Sequence, residues 1–223
     1  MQFFTKVWEQ LVQFGFRLLY HELAFTYDVV SNIVSLGAWH CWQRTALLYL
    51  PAPSNDWVLE LAHGTGHLQI ALKKAGYRTV GYDLSHQMGR IAKKKLQGAG
   101  VSPLLVRGRA EQLPFADDQF AAVIATFPTE FIVADETLKE AHRVLVDDGQ
   151  LVIVLSAELV SGGLVRIFLE WLYRITGQRQ LEQNGAIKDE LLDLFGSHGF
   201  EMRFVQEPCS RSVVHLIVAQ KKV

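Results

Sequence analysis

Between residues 57 and 155, short apolar runs alternate with segments of helical spacing. The run Trp57–Leu61 precedes a helix predicted over Leu68–Ala75, and Thr79–Tyr82 precedes one over His86–Leu96. Runs this apolar are typical of strands covered on both faces, as in parallel sheets, and the intervening helices make right-handed crossovers. The sequence therefore predicts an α/β fold with an open, doubly wound, mostly parallel sheet.

The pattern changes toward both ends of the chain. Residues 1–50 predict an N-terminal helical cap or lid, with a second helical region over 27–50. Residues 51–223 are expected to form the main domain, with a helical insert at about 158–196. The last two apolar runs, linked by a turn at Pro208, predict an antiparallel hairpin that completes a seven-stranded sheet. The remaining predicted elements are a helix over 135–145 and strands over 103–106, 120–126, 150–155, 200–206 and 212–220.

The composition argues against several classes of function. The formal net charge is −1, so no basic surface for nucleic acid is expected. Charged residues interrupt the apolar N-terminal stretch, and no membrane-spanning helix is predicted. The histidines lack metal-ligand spacing, and Cys41 and Cys209 form no CxxC motif, so we expect neither a metal site nor a disulfide framework. These features favour a cytoplasmic protein.

The stretch VLELAHGTGHLQIAL combines an apolar run, a loop of small residues and the start of a helix. Such loops often bring the backbone close to a nucleotide. A dinucleotide loop needs three glycines at GxGxxG, but after Gly64 and Gly66 the third position is Gln69. Glu60, near the end of the first strand, would repel a pyrophosphate and attract a cation. A nicotinamide-dependent oxidoreductase is therefore the less favoured alternative.

Asp83 ends the second predicted strand, at the position where a carboxylate normally holds a ribose diol. Together with Glu60, it indicates a ligand that has a ribose and a positive charge but no phosphates. S-adenosylmethionine has these properties, because it combines adenosine with a sulfonium and an ammonium group. We therefore expect S-adenosylmethionine as the cofactor.

Glu60-Leu61-Ala62-His63-Gly64-Thr65-Gly66 resembles the first motif, ExGxGxG, of the class I S-adenosylmethionine-dependent methyltransferases, with Ala62 in place of the first glycine. The resemblance implies that Glu60 holds the methionine amine, directly or through water, and that the loop backbone approaches the methionine. In the second motif, VGYDLSHQM, it implies Asp83 as the ribose ligand. Further cofactor candidates in these two motifs are Ala62, His63, Gly64, Gly66, Leu84 and Met88, the last two against the adenine.

The stretch RGRAEQLPFADDQFAAVIAT resembles the third motif of the same family, GDAExLPF…FDxV, and LKEAHRVLVDDGQLVIV resembles its helix-turn-strand segment. Arg109 stands where an aspartate usually meets the adenine amino group, and Ala121 replaces the aspartate that follows Phe120. The backbone N–H of Ala110 remains available to the ring. Arg109, Ala110, Glu111 and Thr126 complete the expected cofactor contacts.

The stretch YDVVSNIVSLG, with Trp42-Gln43-Arg44 after it, is similar to the YDxxNxxxSxGxxxxWkr segment of ubiquinone/menaquinone-biosynthesis C-methyltransferases. In that group the region folds over the cofactor, which makes Tyr27 a candidate lid contact. Thr126, Phe127 and Glu130 occupy a position that commonly borders the acceptor. The candidates for a general base are His21, His40, Tyr27 and His63, and the sequence does not choose among them.

The sequence thus indicates methyl transfer to a small-molecule acceptor, which the aromatic residues of the cap and insert suit if it is hydrophobic or quinone-like. Those residues equally suit ordinary helix packing, and any membrane contact is expected to be at most peripheral. A binding module that retains the cofactor pocket without catalysis is the alternative, because Arg109 and Ala121 depart from the family pattern. The acceptor, the methylated atom and the oligomeric state stay open.

Overall fold

Seven strands form one sheet in the computed structural model, which describes residues 26–53, 55–159 and 185–222. The strands are β1 (Trp57–Leu61), β2 (Arg78–Asp83), β3 (Leu105–Arg107), β4 (Phe120–Thr126), β5 (Leu145–Leu159), β6 (Phe200–Cys209) and β7 (Ser212–Lys221). The α-helices are α1 (Tyr27–Val34), α2 (Trp39–Arg44), α3 (His67–Lys74), α4 (His86–Gly98), α5 (Asp135–Val144) and α6 (Gly185–Ser197), and short 3-10 helices span Thr45–Tyr49 and Glu130–Val133.

The strand order in the sheet is β3-β2-β1-β4-β5-β7-β6. Strands β1 to β5 are parallel, and β7 lies antiparallel between β5 and β6. The predicted doubly wound sheet with an antiparallel edge hairpin is therefore confirmed. Because the order reverses between β1 and β4, the carboxyl ends of these two strands flank the crevice in which open α/β sheets bind their ligands.

Alternate residues of the central strands pack into two apolar cores, one on each face of the sheet. In β4, Val123 and Ala125 belong to the core that α5 and α6 cover, whereas Ala122 and Ile124 belong to the core that α2 and α3 cover. All four side chains are fully buried. The near-continuous apolar runs of the sequence thus reflect a sheet that is covered on both sides.

The structure moves several predicted boundaries. The helical region predicted over 27–50 breaks after α1, where Leu36 and Gly37 have positive φ angles of 51° and 83°. The hairpin turn lies near Ser210, which has a φ of 59°, and not at Pro208. Pro208 is part of β6 because this strand forms the edge of the sheet, where a residue without an N–H is tolerated.

Parts of two predicted regions lie outside the described residues. The helical insert expected at about 158–196 is described only at its ends, since β5 continues to Leu159 and α6 begins at Gly185. Residues 160–184 are outside, and so are residues 1–25, which include His21 and half of the predicted cap. Among the helices of the described ranges, none has the length and apolar character needed to cross a membrane.

A hydrogen bond and a disulfide connect helix α2 to the C-terminal hairpin. The indole N–H of the fully buried Trp42 donates a hydrogen bond to the hydroxyl of Ser212 at 2.6 Å. Next to it, Cys41 and Cys209 form a disulfide, with 6.2 Å between their Cα atoms. The expectation that the chain has no disulfide was wrong, because the 168 residues between the two cysteines hide a contact that only the packing of α2 on the hairpin creates.

We expect the disulfide to stabilise the fold by about 2–4 kcal/mol, because it restricts the unfolded chain. Thiol titration of the unreduced protein in denaturant should find no free thiol, and titration after reduction should find two. Cys41→Ser should lower the free energy of unfolding by that amount without reductant and by much less with it. Two titratable thiols before reduction would contradict the pairing.

Candidate functional site

The loop between β1 and α3 turns sharply at the crevice end of the sheet. Ala62, Gly64 and Gly66 have positive φ angles of 52°, 53° and 83°. The amide of Gly66 donates to the carbonyl of His63 at 3.0 Å. A Cβ atom at Gly66 would lie 2.9 Å from the Cβ of Ala92 in α4, so only glycine allows the loop and this helix to approach so closely.

Asp83, the last residue of β2, holds the loop in place. Its Oδ2 accepts a hydrogen bond from the backbone N–H of Gly64 at 2.9 Å, and its Oδ1 accepts one from the N–H of Ser85 at 2.7 Å. A carboxylate has about four lone-pair sites, so both oxygens keep capacity for another donor. The half-buried carboxylate therefore joins the ends of two neighbouring strands and can still accept hydrogen bonds from a diol.

Glu60 lies one residue before the end of β1 and is fully buried. Its Oε2 accepts a hydrogen bond from the side-chain amide of Gln69 at 2.7 Å, and the carbonyl of that amide accepts one from the hydroxyl of Thr79 at 2.7 Å. Burial raises the pKa of Glu60 to about 8, and the nearby charge of Asp83 acts in the same direction, while the bond from Gln69 opposes both.

A buried acid next to a second carboxylate makes this end of the sheet favourable for a cation. Near neutral pH the raised pKa keeps Glu60 protonated in the protein without a ligand. A positive charge close by would favour the ionised form and lower that pKa. The two acids that the sequence singled out, Glu60 and Asp83, thus lie close enough for the charge of Asp83 to raise the pKa of Glu60.

The residues expected around an adenine ring occupy contrasting environments. Leu84, directly after β2, is 55% exposed, whereas Met88 in α4 is fully buried and Ala110 is buried. Arg109 extends to the surface, where it forms an ion pair with Glu111 at 2.8 Å. The exposed side chain of Leu84 is an accessible apolar surface that an added ring could cover. The adenine contacts of all five residues stay predictions.

An ionic cluster joins the cap to the glycine loop. The carboxylate of Asp28 in α1 accepts hydrogen bonds from the Thr65 hydroxyl and the Lys95 ammonium, both at 2.5 Å, and lies 3.2 Å from Nε2 of His67. Burial alone would raise the pKa of Asp28, but the bonds from His67, Lys95 and Thr65 outweigh it and hold the pKa well below its ordinary value. This cluster connects α1 with the loop, α3 and α4.

Two of the candidate general bases have lowered pKa values. Partial burial and the neighbouring His67, whose ring centroid lies 4.1 Å away, lower the pKa of His40. Burial likewise lowers the pKa of His63, whose Nδ1 lies 2.9 Å from the carbonyl oxygen of Gly64. The lowered pKa values favour the neutral form of both rings, which is the form that can accept a proton. Neither assignment is tested, and Tyr27 also remains a candidate.

Aromatic side chains of the cap meet the residue that follows β4. The ring of Trp39 stacks on that of Phe127 with 4.4 Å between centroids, and Tyr27 contacts the edge of Trp39 at 6.2 Å. Phe127 has a positive φ of 51°, which is unusual for a bulky residue and often occurs at functional sites. The structure thus places Tyr27 and Phe127 on one aromatic cluster, next to Thr126 at the end of β4.

The sequence analysis missed Thr65 and Lys95 as members of the ionic cluster. Lys95 ends the run Lys93–Lys95, and such a run of like charges is typical of a solvated helix face. Its position shows the signal that was available, because Lys95 follows the buried residues Met88 and Ala92 by seven and three positions and so shares their side of α4. Asp28 was part of a quoted motif, but no role was given to it.

The sequence of this chain is similar to those of known methyltransferases. A sequence profile for a methyltransferase domain matches residues 59–153. A protein of Bartonella quintana named ubiquinone/menaquinone biosynthesis C-methyltransferase is 32% identical over 181 residues, which cover 77% of this chain and 69% of the relative. A demethylmenaquinone methyltransferase of Thermus thermophilus is 33% identical over 174 residues, which cover 76% of each chain.

Among solved structures, the phosphoethanolamine N-methyltransferase 2 of Haemonchus contortus, in complex with phosphomonomethylethanolamine and S-adenosylhomocysteine, aligns with a TM-score of 0.58. The alignment covers 84% of this chain and 53% of that one at 16% identity. At this identity the likeness concerns the fold alone.

Glu60→Gln should remove a pH dependence of stability. The folded protein keeps a proton on Glu60 up to a pH of about 8, while the unfolded chain loses it near 4.5, so the free energy of unfolding should fall as the pH rises between these values. Denaturant unfolding from pH 5 to pH 8 should show this fall in the wild type and a weaker one in Glu60→Gln. The exposed Glu190→Gln is the control, and equal slopes in all three proteins would contradict the assignment.

Asp28→Asn should weaken the connection between the cap and α4. In a double-mutant cycle with Lys95→Met, denaturant unfolding should give a coupling free energy of about 1 kcal/mol, a modest value because Asp28 is 36% exposed. The coupling should decline progressively as the pH falls below 3.8, because the unfolded chain then takes up a proton on Asp28 that the folded protein still excludes. Additive effects of the two substitutions at pH 7 would show that the pair contributes nothing.

Proposed function

Because this chain belongs to the class I S-adenosylmethionine-dependent methyltransferases, we propose that its acceptor is a quinone-like small molecule that is methylated on a ring carbon. The chain is an enzyme that uses S-adenosylmethionine as its methyl donor. The acceptor class, the residues that hold the cofactor and the division into a cap (1–50) and a cofactor-binding domain (51–223) are the proposed parts.

The acceptor class is supported by the relatives that share about a third of their residues with this chain. One is named ubiquinone/menaquinone biosynthesis C-methyltransferase and another demethylmenaquinone methyltransferase, and both align over three quarters of this chain. The aromatic cluster of Trp39 and Phe127 at the end of β4 agrees with a flat, apolar acceptor. A quinone ring in its reduced, hydroxylated form is flat and largely apolar.

The donor set at the crevice fits the proposed cofactor. Asp83 retains acceptor sites for the ribose hydroxyls, and the protonated, buried Glu60 would ionise next to a sulfonium or an ammonium group. The exposed Leu84 offers an apolar surface to the adenine. The other residues that we propose to contact the cofactor are Ala62, His63, Gly64, Gly66, Met88, Arg109, Ala110, Glu111, Thr126 and Tyr27.

S-adenosylmethionine, when bound, supplies a methyl group on a sulfonium that is already a good leaving group. The protein then has to align the acceptor carbon, exclude water and accept a proton. A ring carbon becomes nucleophilic when an adjacent hydroxyl gives up its proton, so a neutral histidine is suitable as a general base. His40 and His63, whose pKa values are lowered, are the described candidates.

The location of the enzyme is part of the proposal. The cytoplasmic location and the at most peripheral membrane contact expected from the sequence stay predictions. Stable disulfides are rare in reducing compartments. The Cys41–Cys209 bond therefore argues against the predicted cytoplasmic location.

The proposed function is tested with the full chain, S-adenosylmethionine and a short-chain demethylmenaquinol kept reduced. We expect formation of S-adenosylhomocysteine and a product whose added methyl lies on a ring carbon, as identified by mass spectrometry and NMR. Asp83→Ala and Glu60→Ala should each weaken S-adenosylmethionine binding in calorimetry by about 1–3 kcal/mol, because each removes a hydrogen-bonded polar group.

The exposed Asp193→Ala is the matched control, which should bind the cofactor like the wild type. Unchanged affinity in Asp83→Ala and Glu60→Ala would remove the site assignment. Methylation of an oxygen, or no turnover of the quinol by a protein that binds the cofactor, would contradict the acceptor proposal while leaving the enzyme class intact.

A further inference from the structure

Gln43, in helix α2 of the cap, reaches the carboxyl end of β4. Its side-chain N–H donates a hydrogen bond to the hydroxyl of Thr126 at 3.3 Å, and Thr126 is the last residue of that strand. Thr126 is buried, and its neighbour Phe127 belongs to the aromatic cluster with Trp39. The cap and the sheet are thus joined at this point by a polar side chain within otherwise apolar surroundings.

The other end of the same amide is unsatisfied. The Oε1 atom of Gln43 is buried and has no hydrogen-bond partner in the part of the chain that the structure describes. Native proteins leave few buried polar atoms in this state, because such an atom loses its hydration without replacement. An unsatisfied buried acceptor of this kind can accept a hydrogen bond from a ligand that carries a donor group.

The position of Gln43 relative to the sheet identifies which ligand this would be. In the register of β1 and β4, Leu61 is opposite Ala125, so Thr126 lies beside Ala62, the first residue of the glycine loop. The strand order reverses between these two strands, and ligands of open α/β sheets bind above that reversal. The bond from Gln43 to Thr126 therefore lies at the end of β4 that borders this crevice.

The neighbouring side chains favour the acceptor over the cofactor as the partner of Gln43. The acids that suit the cofactor, Asp83 and Glu60, lie at the ends of β2 and β1, whereas Gln43 is on the β4 side with Trp39 and Phe127. Stacked aromatic rings suit a flat ring as neighbour, and an amide oxygen suits a hydroxyl on that ring.

We propose that Gln43 is an acceptor-recognition residue, whose Oε1 accepts a hydrogen bond from a ring hydroxyl of the acceptor while its N–H stays bonded to Thr126. The proposal rests on the proposed function, because it presumes a hydroxylated ring as the acceptor. It adds the group that selects the hydroxyl and so orients the ring toward the methyl donor. A merely structural Gln43 would affect stability and cofactor affinity but would not distinguish a hydroxyl from an ether.

The test measures the binding of 1-naphthol and 1-methoxynaphthalene to the full chain saturated with S-adenosylhomocysteine. The wild type should bind the naphthol roughly fivefold more tightly than the ether, the size expected for one hydrogen bond (about 1 kcal/mol). Gln43→Met keeps the length of the side chain without its polar atoms and should abolish the preference. The affinity for S-adenosylhomocysteine should stay within about twofold of the wild type.

Two further variants make the result specific. Gln43→Glu keeps an acceptor oxygen, to which the Thr126 hydroxyl can donate, and should retain the preference for the naphthol. Gln220→Met is the matched control, since the exposed Gln220 pairs with Gln150 in the amino-terminal half of β5 and should behave like the wild type. If Gln43→Met does not fold, the comparison of Gln43→Glu with the wild type still decides, because loss of the preference there would contradict the proposal.

The outcomes separate this proposal from the proposed function. Equal preference in the wild type and Gln43→Met, or no preference in the wild type, would overturn the role of Gln43, and so would a parallel loss of S-adenosylhomocysteine affinity. Methylation of demethylmenaquinol in the same preparation would then still support the proposed function. Conversely, a preference that depends on Gln43 without turnover of demethylmenaquinol would support the role of Gln43 and refute that acceptor.

Discussion

The carboxylate of Asp83 accepts a hydrogen bond from the backbone N–H of Gly64 and thereby joins the end of β2 to the loop that follows β1. This contact depends on the loop geometry, because positive φ angles at Ala62 and Gly64 turn the amide toward the neighbouring strand. The same loop carries Thr65, whose hydroxyl reaches Asp28 of the cap. The position of the cap thus depends on a loop that Asp83 fixes.

Burying Glu60 costs free energy, and no ion pair of Glu60 with another described residue offsets that cost. Its hydrogen bond from Gln69 satisfies one oxygen, yet burial still raises the pKa of the acid to about 8. A cation at the crevice would relieve that cost, which gives the site a preference for positively charged ligands before any contact with their other atoms. The same acid is the residue that we propose to hold the ammonium group of the methyl donor.

The cap is held by contacts of different character on its two sides. Toward the glycine loop, the contacts of Asp28 are ionic, and Lys95 is one of its partners. Toward the C-terminal hairpin, α2 is held by the buried Trp42 and by the disulfide between Cys41 and Cys209. Helix α2 is therefore anchored at the hairpin, and helix α1 at the glycine loop and α4.

The sequence alone determined the alternation of apolar strands and helices, and with it the sheet and its antiparallel edge. These features depend on the pattern of apolar residues within short segments of the chain. It also singled out Glu60 and Asp83, since each lies at or near the end of an apolar run. Only the tertiary structure decided what meets across the chain: the Cys41–Cys209 bond, the pairing of Asp28 with Lys95, and the unsatisfied amide oxygen of Gln43. Such contacts join residues far apart in sequence, and no local pattern of hydrophobicity or charge specifies which distant side chain a folded chain brings next to another.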